Sequence, residues 1–221
     1  MSSLKEDEIC SLCGRPTQIF WIDRSRKTSY FKCTSCLSVA RSNSNFLSDQ
    51  DEKARYLNHE NDIHDKGYQS FVSPITSAVR ASFKAKTHKG LDYGCGTGPV
   101  ISHMLKKHGF KMTLYDPFFF PDESYLDSRY DFIVCCEVME HFHSPKKEFQ
   151  KLRRLLNLKG KFYCKTALIS NDISVEEFSN WYYKNDPTHV FFYSPKALEY
   201  MKEALGFTDL IISEKLITFS L

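Results

Sequence analysis

The 221 residues predict an α/β fold, an open and mostly parallel sheet with helices on both faces, joined to a small N-terminal module. Three observations predict it. From residue 66 onward, short apolar runs of strand character alternate with stretches of helical period. One such run, "KGLDYGCGTG" at 89–98, ends in three glycines just where a helix begins. The first forty residues carry two tight cysteine pairs, a device by which small modules make up for a core they cannot bury.

Composition bounds the organisation. With 42% hydrophobic and 14% aromatic residues, the chain can bury one full core and carry an appendage. The expected division is a ribbon over 1–40, a linker and helix over 41–66, and the main domain over 67–221, with the Ser- and Asn-rich "SVARSNSNFLSDQ" marking the boundary. A net charge of +3 does not by itself call for nucleic acid. "MSSLKEDEIC" is polar and acidic and does not read as a leader, and no stretch approaches the ~20 apolar residues a bilayer needs. A cytoplasmic protein with no membrane partner is expected. Cys95, Cys135, Cys136 and Cys164 lie in apolar or glycine-rich contexts, which suits a reducing compartment.

"CSLCG" at 10–14 and "CTSCL" at 33–37 leave 19 residues between the pairs, the spacing of a four-thiolate zinc site. Cys10, Cys13, Cys33 and Cys36 are the predicted ligands, and four thiolates leave no open position, so the zinc would be structural. Between the pairs, "TQIFWI" and "TSYFKC" read as strands on either side of the turn "DRSRK". Phe20, Trp21, Tyr30 and Phe31 alternate with Arg15, Arg24, Arg26, Lys27 and Lys32. Such a mixture serves either to stack on bases and meet phosphates, or to form the ribbon's own core with a solvated basic rim.

In the main domain, the strand before the glycines is followed by a helix that Pro99 opens and Gly109 ends, with apolar residues at 100, 101, 104 and 105. The next strand, "KMTLYD", delivers Asp116 at its carboxyl end, where such a unit holds a ribose by its hydroxyls. Gly94, Gly96 and Gly98 are spaced G-x-G-x-G, not the G-x-G-x-x-G of a pyrophosphate site. Asp92, two residues before the first glycine, suits an amino group better than a phosphate.

Through "LDYGCGTG" the chain resembles the class I S-adenosylmethionine-dependent methyltransferases. "YDFIVCCEVMEHF" at 130–142 resembles that family's fourth strand and its loop, and "LKGKFYCKT" at 158–166 its glycine turn and fifth strand. An amphipathic helix, "SPKALEYMKEALGF", then precedes "TDLIISE" and "KLITFSL" as strands six and seven. The resemblance covers roughly residues 67–221, or begins at about 50 if the helix "DQDEKARYLNHE" belongs to it, and is nearest to the small methyltransferases related to the ubiquinone-pathway group. It implies a Rossmann-like sheet and S-adenosylmethionine as cofactor. Gly94, Gly96 and Gly98 would approach its methionine part, Asp92 would orient it, Asp116 would bind the ribose, and Tyr68 would cap the methionine end. His59 and His64, in the segment with Tyr68, read as solvated helix surface. Only "PFFFPDESYLDSR" separates Asp116 from strand four, so strand three is expected to be shortened or missing. Adenine would then be walled by Phe118, Phe119 and Phe120 or met by Asp122, Glu123 or Asp127, although core packing explains the phenylalanines equally well.

"EVMEHFH", 137–143, falls at the carboxyl end of strand four, where open parallel sheets bind their ligands. A helical turn would put Glu137, Glu140 and His141 on one face. Such a set could hold magnesium or manganese, handle a proton or orient a substrate, or brace a turn. The metal reading resembles the site of enzymes that methylate the terminal ribose of small RNAs, with His189 as the last ligand, yet small-molecule methyltransferases carry a similar stretch. His143, before a helix start at Ser144 and Pro145, is the bystander. The aromatic segment "NWYYKNDPTHVFFYSP" at 180–195 reads as a lid, with His189 the first choice for general base and Asp186 a candidate to orient it.

These expectations combine into methyl transfer from S-adenosylmethionine to an oxygen, or else a carbon or nitrogen, of a small molecule, with the ribbon shaping the site or mediating a homodimer. An RNA methyltransferase gripping RNA through the ribbon is the first alternative. The chain lacks the Asn-Pro-Pro-Tyr type motif expected where a base amino group is methylated. A catalytically inactive zinc-dependent binding protein is the second.

Overall fold

The computed structural model describes residues 9–58 and 61–221, so the reading of His59 lies outside the described residues. In chain order the strands are β1 (Thr17–Asp23), β2 (Thr28–Cys33), β3 (Val39–Arg41), β4 (Lys89–Tyr93), β5 (Lys111–Tyr115), β6 (Tyr130–Cys136), β7 (Leu156–Lys165), β8 (Phe191–Phe192), β9 (Asp209–Ile212) and β10 (Ile217–Ser220). The helices are α1 (Asp49–Tyr56), α2 (Lys66–Ser82), α3 (Val100–Lys107), α4 (Pro145–Leu155), α5 (Val175–Asn180) and α6 (Pro195–Leu205). None is long and apolar enough to cross a membrane.

The chain forms two compact units, each drawn from separate stretches of sequence. One comprises residues 49–138, 150–166 and 206–221 and holds a six-stranded sheet in the order β5-β4-β6-β7-β10-β9. The first four strands of that order run parallel, while β10 is antiparallel to both β7 and β9. β5 is the edge of the sheet, and between it and β6 the chain makes only the 3-10 turn Glu123–Asp127, so no third strand follows.

Val72, Ile75 and Val79 recur at helical spacing along α2 and are fully buried. They share a core with Val100, Ile101 and Leu105 of α3 and with Phe132 and Val134 of β6. Asp65 caps α2 by accepting from Gly67 N at 2.7 Å, and Gly109, at φ +84°, ends the α3 segment in the left-handed region.

The other unit comprises the described residues through Ser48 together with 139–149 and 167–205. It is not a free-standing ribbon over 1–40. β1, β2 and β3 form an antiparallel meander that β8 extends to a four-stranded sheet. Physical size explains the departure from the linear division: so short a ribbon cannot bury its own aromatics. Tyr30 and Val39 pack with Ile169, Phe178, Tyr183 and Phe192, and Phe20, Trp21 and Trp181 close around them. Phe178 meets Tyr30 edge-on at 5.1 Å between ring centroids and Phe192 at 5.4 Å.

Candidate functional site

In the six-stranded unit the site is built from backbone. Gly94 and Gly96 sit at φ +76° and +64°, conformations that carry the chain off β4 in a turn few other residues tolerate. The turn is pinned to β5, since Gly94 N and Cys95 N both donate to the carbonyl of Tyr115, at 2.8 and 3.1 Å. A Cβ on Gly98 would lie 1.7 Å from the carbonyl oxygen of Asn61, so the chain ahead of α2 crosses directly over the third glycine.

Asp116 ends β5 and braces this turn. Its Oδ2 accepts from Gly96 N at 3.0 Å, while Oδ1 accepts from Phe118 N and Phe119 N at 2.9 and 3.1 Å. The carboxylate is thereby fixed beside the glycines with lone pairs to spare for hydroxyl donors. Phe118, Phe119 and Phe120 are half-buried, and Phe118 lies 5.8 Å from Tyr56 of α1. Asp122 caps its own 3-10 turn by accepting from Ser124 N.

Asp92 accepts from Ser102 N at 3.2 Å and from Ser102 Oγ at 2.7 Å, tying the end of β4 to the first turn of α3. It thus has a bracing contact that the sequence reading did not assign. Burial pushes its carboxyl up to about 6. Tyr68 is half-buried, and its hydroxyl is held above the usual phenol range by burial and then by Cys136, Asp92 and Glu137. It therefore faces the carboxyl ends of β4 and β6. A tight glycine turn, a fixed carboxylate and half-buried phenylalanines beside it fit an adenosyl group carrying an amino acid tail.

In the other unit the sites are built from side chains. Cys10 and Cys36 place their sulfurs 3.7 Å apart, and Cys13 and Cys33 theirs 3.4 Å apart. Thiolates of a tetrahedral zinc, each about 2.3 Å from the ion, stand about 3.8 Å apart, so the four fit that ion. Gly14 and Leu37, just after each pair, take φ +73° and +59°, and Ser35 N and Cys36 N both donate to Cys33 Sγ. Such turns point backbone N–H groups at sulfur.

Glu140, His141 and His189 come together, with ligand atoms within 4.8 Å of one another. Glu140 is fully buried and accepts through Oε1 from the hydroxyl of Tyr183. The Nδ1 atoms of His141 and His189 lie 2.9 and 2.7 Å from the carbonyls of Thr188 and Tyr183. A carbonyl can only accept, so both Nδ1 atoms carry protons and each ring, when neutral, has its lone pair on Nε2.

The helical face expected for Glu137, Glu140 and His141 is not formed. The 3-10 turn spans only Met139–His141, and Glu137 precedes it at φ +53°, with its N–H donating to Lys165 O at 2.8 Å as a continuation of β6. His143 stacks on Phe46 at 4.5 Å. Asp186 takes the N–H and hydroxyl of Thr188, while the contact on Nδ1 of His189 is the Tyr183 carbonyl.

Two residues of this site were not foreseen. Tyr183 lay within the aromatic segment without distinction. Arg41, read as linker, is buried on β3, and its Nη2 donates to Tyr30 Oη and to the carbonyls of Lys184 and Asp186, at 3.2 to 3.3 Å, holding the loop that ends in His189. Arginine among serines and asparagines gives no periodic signal.

Comparison with known proteins follows the same lines. The chain is similar in structure to an O-methyltransferase family protein from Burkholderia thailandensis, at 9% identity and a TM-score of 0.53 over 76% of this chain and 61% of that one. It is also similar to phosphoethanolamine N-methyltransferase 2 of Haemonchus contortus in complex with S-adenosyl-L-methionine, at 13% identity and a TM-score of 0.52 over 73% and 42%. It spans less than two thirds of either, and at these identities the likeness shows a common fold. No curated protein matches in sequence. Residues 46–211 match the family model of the methyltransferase domain, which covers the glycine turn, Asp116 and the parallel strands around them. The chain therefore belongs to the methyltransferase-domain family and is an S-adenosylmethionine-dependent enzyme.

Proposed function

We propose that this enzyme methylates an oxygen of a small molecule, and that its N-terminal cysteines hold a structural zinc. The observation that carries the choice of acceptor is the fate of the ribbon aromatics. Trp21 stacks on Tyr30 at 5.4 Å with the Lys184 ammonium 5.0 Å from its ring centroid, Tyr30 lies in the core around Phe178, and Trp21 packs against that core. Rings spent on a core are not a platform for bases, which favours a small acceptor over RNA. Arg26 is likewise engaged, by Asn185 and Asp23.

When bound, the cofactor supplies an electrophilic sulfonium methyl. The chain's own part is to align an acceptor hydroxyl and take its proton. We assign Gly94, Gly96, Gly98, Asp92, Asp116 and Tyr68 to the cofactor, and Glu140, His141 and His189 to the acceptor's proton, which two imidazoles with oriented Nε2 atoms are suited to receive near neutral pH. Glu137 stands off the turn that carries the others and has no part in this reading.

The test is transfer of labelled methyl in a cell extract divided into RNA, protein and small-molecule fractions. Alkali-stable label on oxygen in the small-molecule fraction is the expected result. Nuclease-sensitive label would reverse the choice of acceptor. Absence of label in every fraction, with no cofactor binding by calorimetry, would make the chain a zinc-dependent binding protein.

A further inference from the structure

We infer that Glu140, His141 and His189 form a second metal centre, distinct from the four cysteines, that takes a first-row divalent cation such as manganese, iron, cobalt or zinc in preference to magnesium. The inference rests on the assignment of this cluster to the acceptor but gives the proton of a metal-bound hydroxyl to solvent in place of an imidazole, and its test reads the metal separately from methyl transfer.

The donor set comes first. One carboxylate and two imidazoles offer one oxygen and two nitrogens, with ligand atoms within 4.8 Å of one another. Ions bound at about 2.0–2.2 Å need their ligands no more than about 4.4 Å apart, so binding draws these three slightly inward. Imidazole suits the borderline transition ions, whereas magnesium favours oxygen ligands and retains water. Three protein ligands leave coordination positions open, unlike the closed set of thiolates.

Orientation comes second. Metal-bound histidines hold the ring nitrogen remote from the ion in a hydrogen bond to a carbonyl or carboxylate, which fixes ring and tautomer. Both imidazoles here do so, His141 through Thr188 O and His189 through Tyr183 O. Tyr183 serves twice, because its hydroxyl also donates to Glu140 Oε1. Val190 N donates to Glu140 O at 2.9 Å, which ties the residue after His189 to the residue before His141. Arg41 N donates to Val190 O, and the Arg41 guanidinium holds the carbonyls of Lys184 and Asp186. The three donors are thus presented by a braced frame.

Charge comes third. A fully buried carboxylate needs compensating positive charge. Either a proton on an imidazole or a divalent cation supplies it, and the two alternatives separate experimentally. A bound cation would lower the pKa of a hydroxyl coordinated in an open position, so that Nε2 of His189 would act as ligand and the proton would leave to solvent.

The experiment uses the full chain, first loaded with zinc and dialysed so that metal analysis gives one zinc per chain. Manganese is then titrated while the spin resonance of the free ion is followed, and cobalt is titrated while visible absorption is followed. A single further equivalent of manganese is expected, with a cobalt spectrum lacking thiolate charge-transfer bands and with magnesium displacing manganese only in large excess. His141→Gln and His189→Gln should each weaken manganese binding by about 100-fold, leaving zinc content and circular dichroism unchanged. Failure of the wild type to bind manganese or cobalt beyond its zinc would overturn the inference, and so would unaltered manganese affinity in both variants. The wild-type titration decides by itself should a variant fail to fold. Metal binding without any labelled small molecule would leave the metal centre standing and sink the choice of acceptor.

Discussion

The two units solve the problem of making a site in opposite ways. Around Gly94, Gly96 and Gly98 the backbone is the instrument: N–H groups and carbonyls define the turn, and the side chain of Asp116 joins them together. Around Cys10, Cys13, Cys33 and Cys36, and again around Glu140, His141 and His189, side chains from distant segments converge. A backbone site tolerates no added volume, while a side-chain site depends on whatever holds its segments in place. The difference fixes where each is fragile.

The largest effect should come from the side-chain side. Structural zinc contributes roughly 10 kcal/mol or more in small thiolate modules. Because β1, β2 and β3 share a sheet and a core with Phe191, Phe192 and Phe178, removing the zinc proposed for the four cysteines should release residues 167–205 to protease, not only the first forty. Chelation, or Cys33→Ser, followed by limited proteolysis and mass mapping, checks this. Cuts confined to the N-terminal forty residues would show that the ribbon is a separate module after all.

Next in size is the backbone site. Gly98→Ala would drive a methyl into the carbonyl of Asn61 at 1.7 Å, for an expected loss of roughly 3 kcal/mol and of most cofactor affinity. Gly206 supplies the contrast, since its constraint is a positive φ of +68°, which Gly98 does not share, and nothing lies within 4 Å of its Cβ position. Gly206→Ala should therefore cost only about 1 kcal/mol of backbone strain and leave cofactor affinity unchanged. Thermal melts with cofactor titration read both, and equal losses would mean that crowding by Asn61 is not what Gly98 avoids.

This contrast also explains what the sequence disclosed. The glycine turn, its strand, its helix and Asp116 are contiguous or nearly so, and each letter reports a local constraint: a positive φ, a close approach, a strand end. The missing third strand was readable as well, because thirteen residues between Asp116 and Tyr130 leave no room for helix and strand together. Cys10 through Cys36 were legible by spacing. What was illegible depends on which segments pair across long distances. Nothing in "SVARSNSNF" announces that Arg41 braces the loop of His189, and nothing in "FFY" at 191–193 announces a strand beside β3. The helical face drawn through Glu137 failed because a three-residue 3-10 turn, beginning only at Met139, is too short to reach back to it.

Asp92 tests the backbone unit by pH. Its carboxyl is raised by burial from 3.8 to about 6, so the folded state holds the proton more tightly than the unfolded chain. The resulting stability is fully present below about pH 4 and is lost as pH rises through about 6, an effect on the order of 3 kcal/mol at most. Asp92→Asn should remove that dependence while keeping an acceptor for Ser102. Melts of both proteins between pH 4 and 8 should show the wild type losing ground to the variant on the alkaline side. Parallel curves would place the ionised carboxylate in a better solvated setting than its burial implies.

The smallest effect is the most specific. Asp116→Ala removes the acceptor of three part-buried backbone N–H groups, two of them in the turn of the phenylalanines and one in the glycine turn; the carboxylate is buried, but the donors belong to half-buried residues, so water can take its place in the variant. Stability should therefore fall by only about 1 kcal/mol. Cofactor affinity should fall further, by about tenfold to 100-fold, because the carboxylate is also the group assigned to the ribose hydroxyls, and hydrogen bonds to a charged group are worth about 1.5–3 kcal/mol. The comparison that matters is between S-adenosylmethionine and its 2′-deoxyribose analogue in calorimetric titrations. If Asp116 meets the ribose, the analogue already lacks part of what the variant loses, and the two losses should not add. Fully additive losses would confine Asp116 to bracing the turn, and would leave the glycines, Asp92, Tyr68 and the phenylalanines to hold the cofactor.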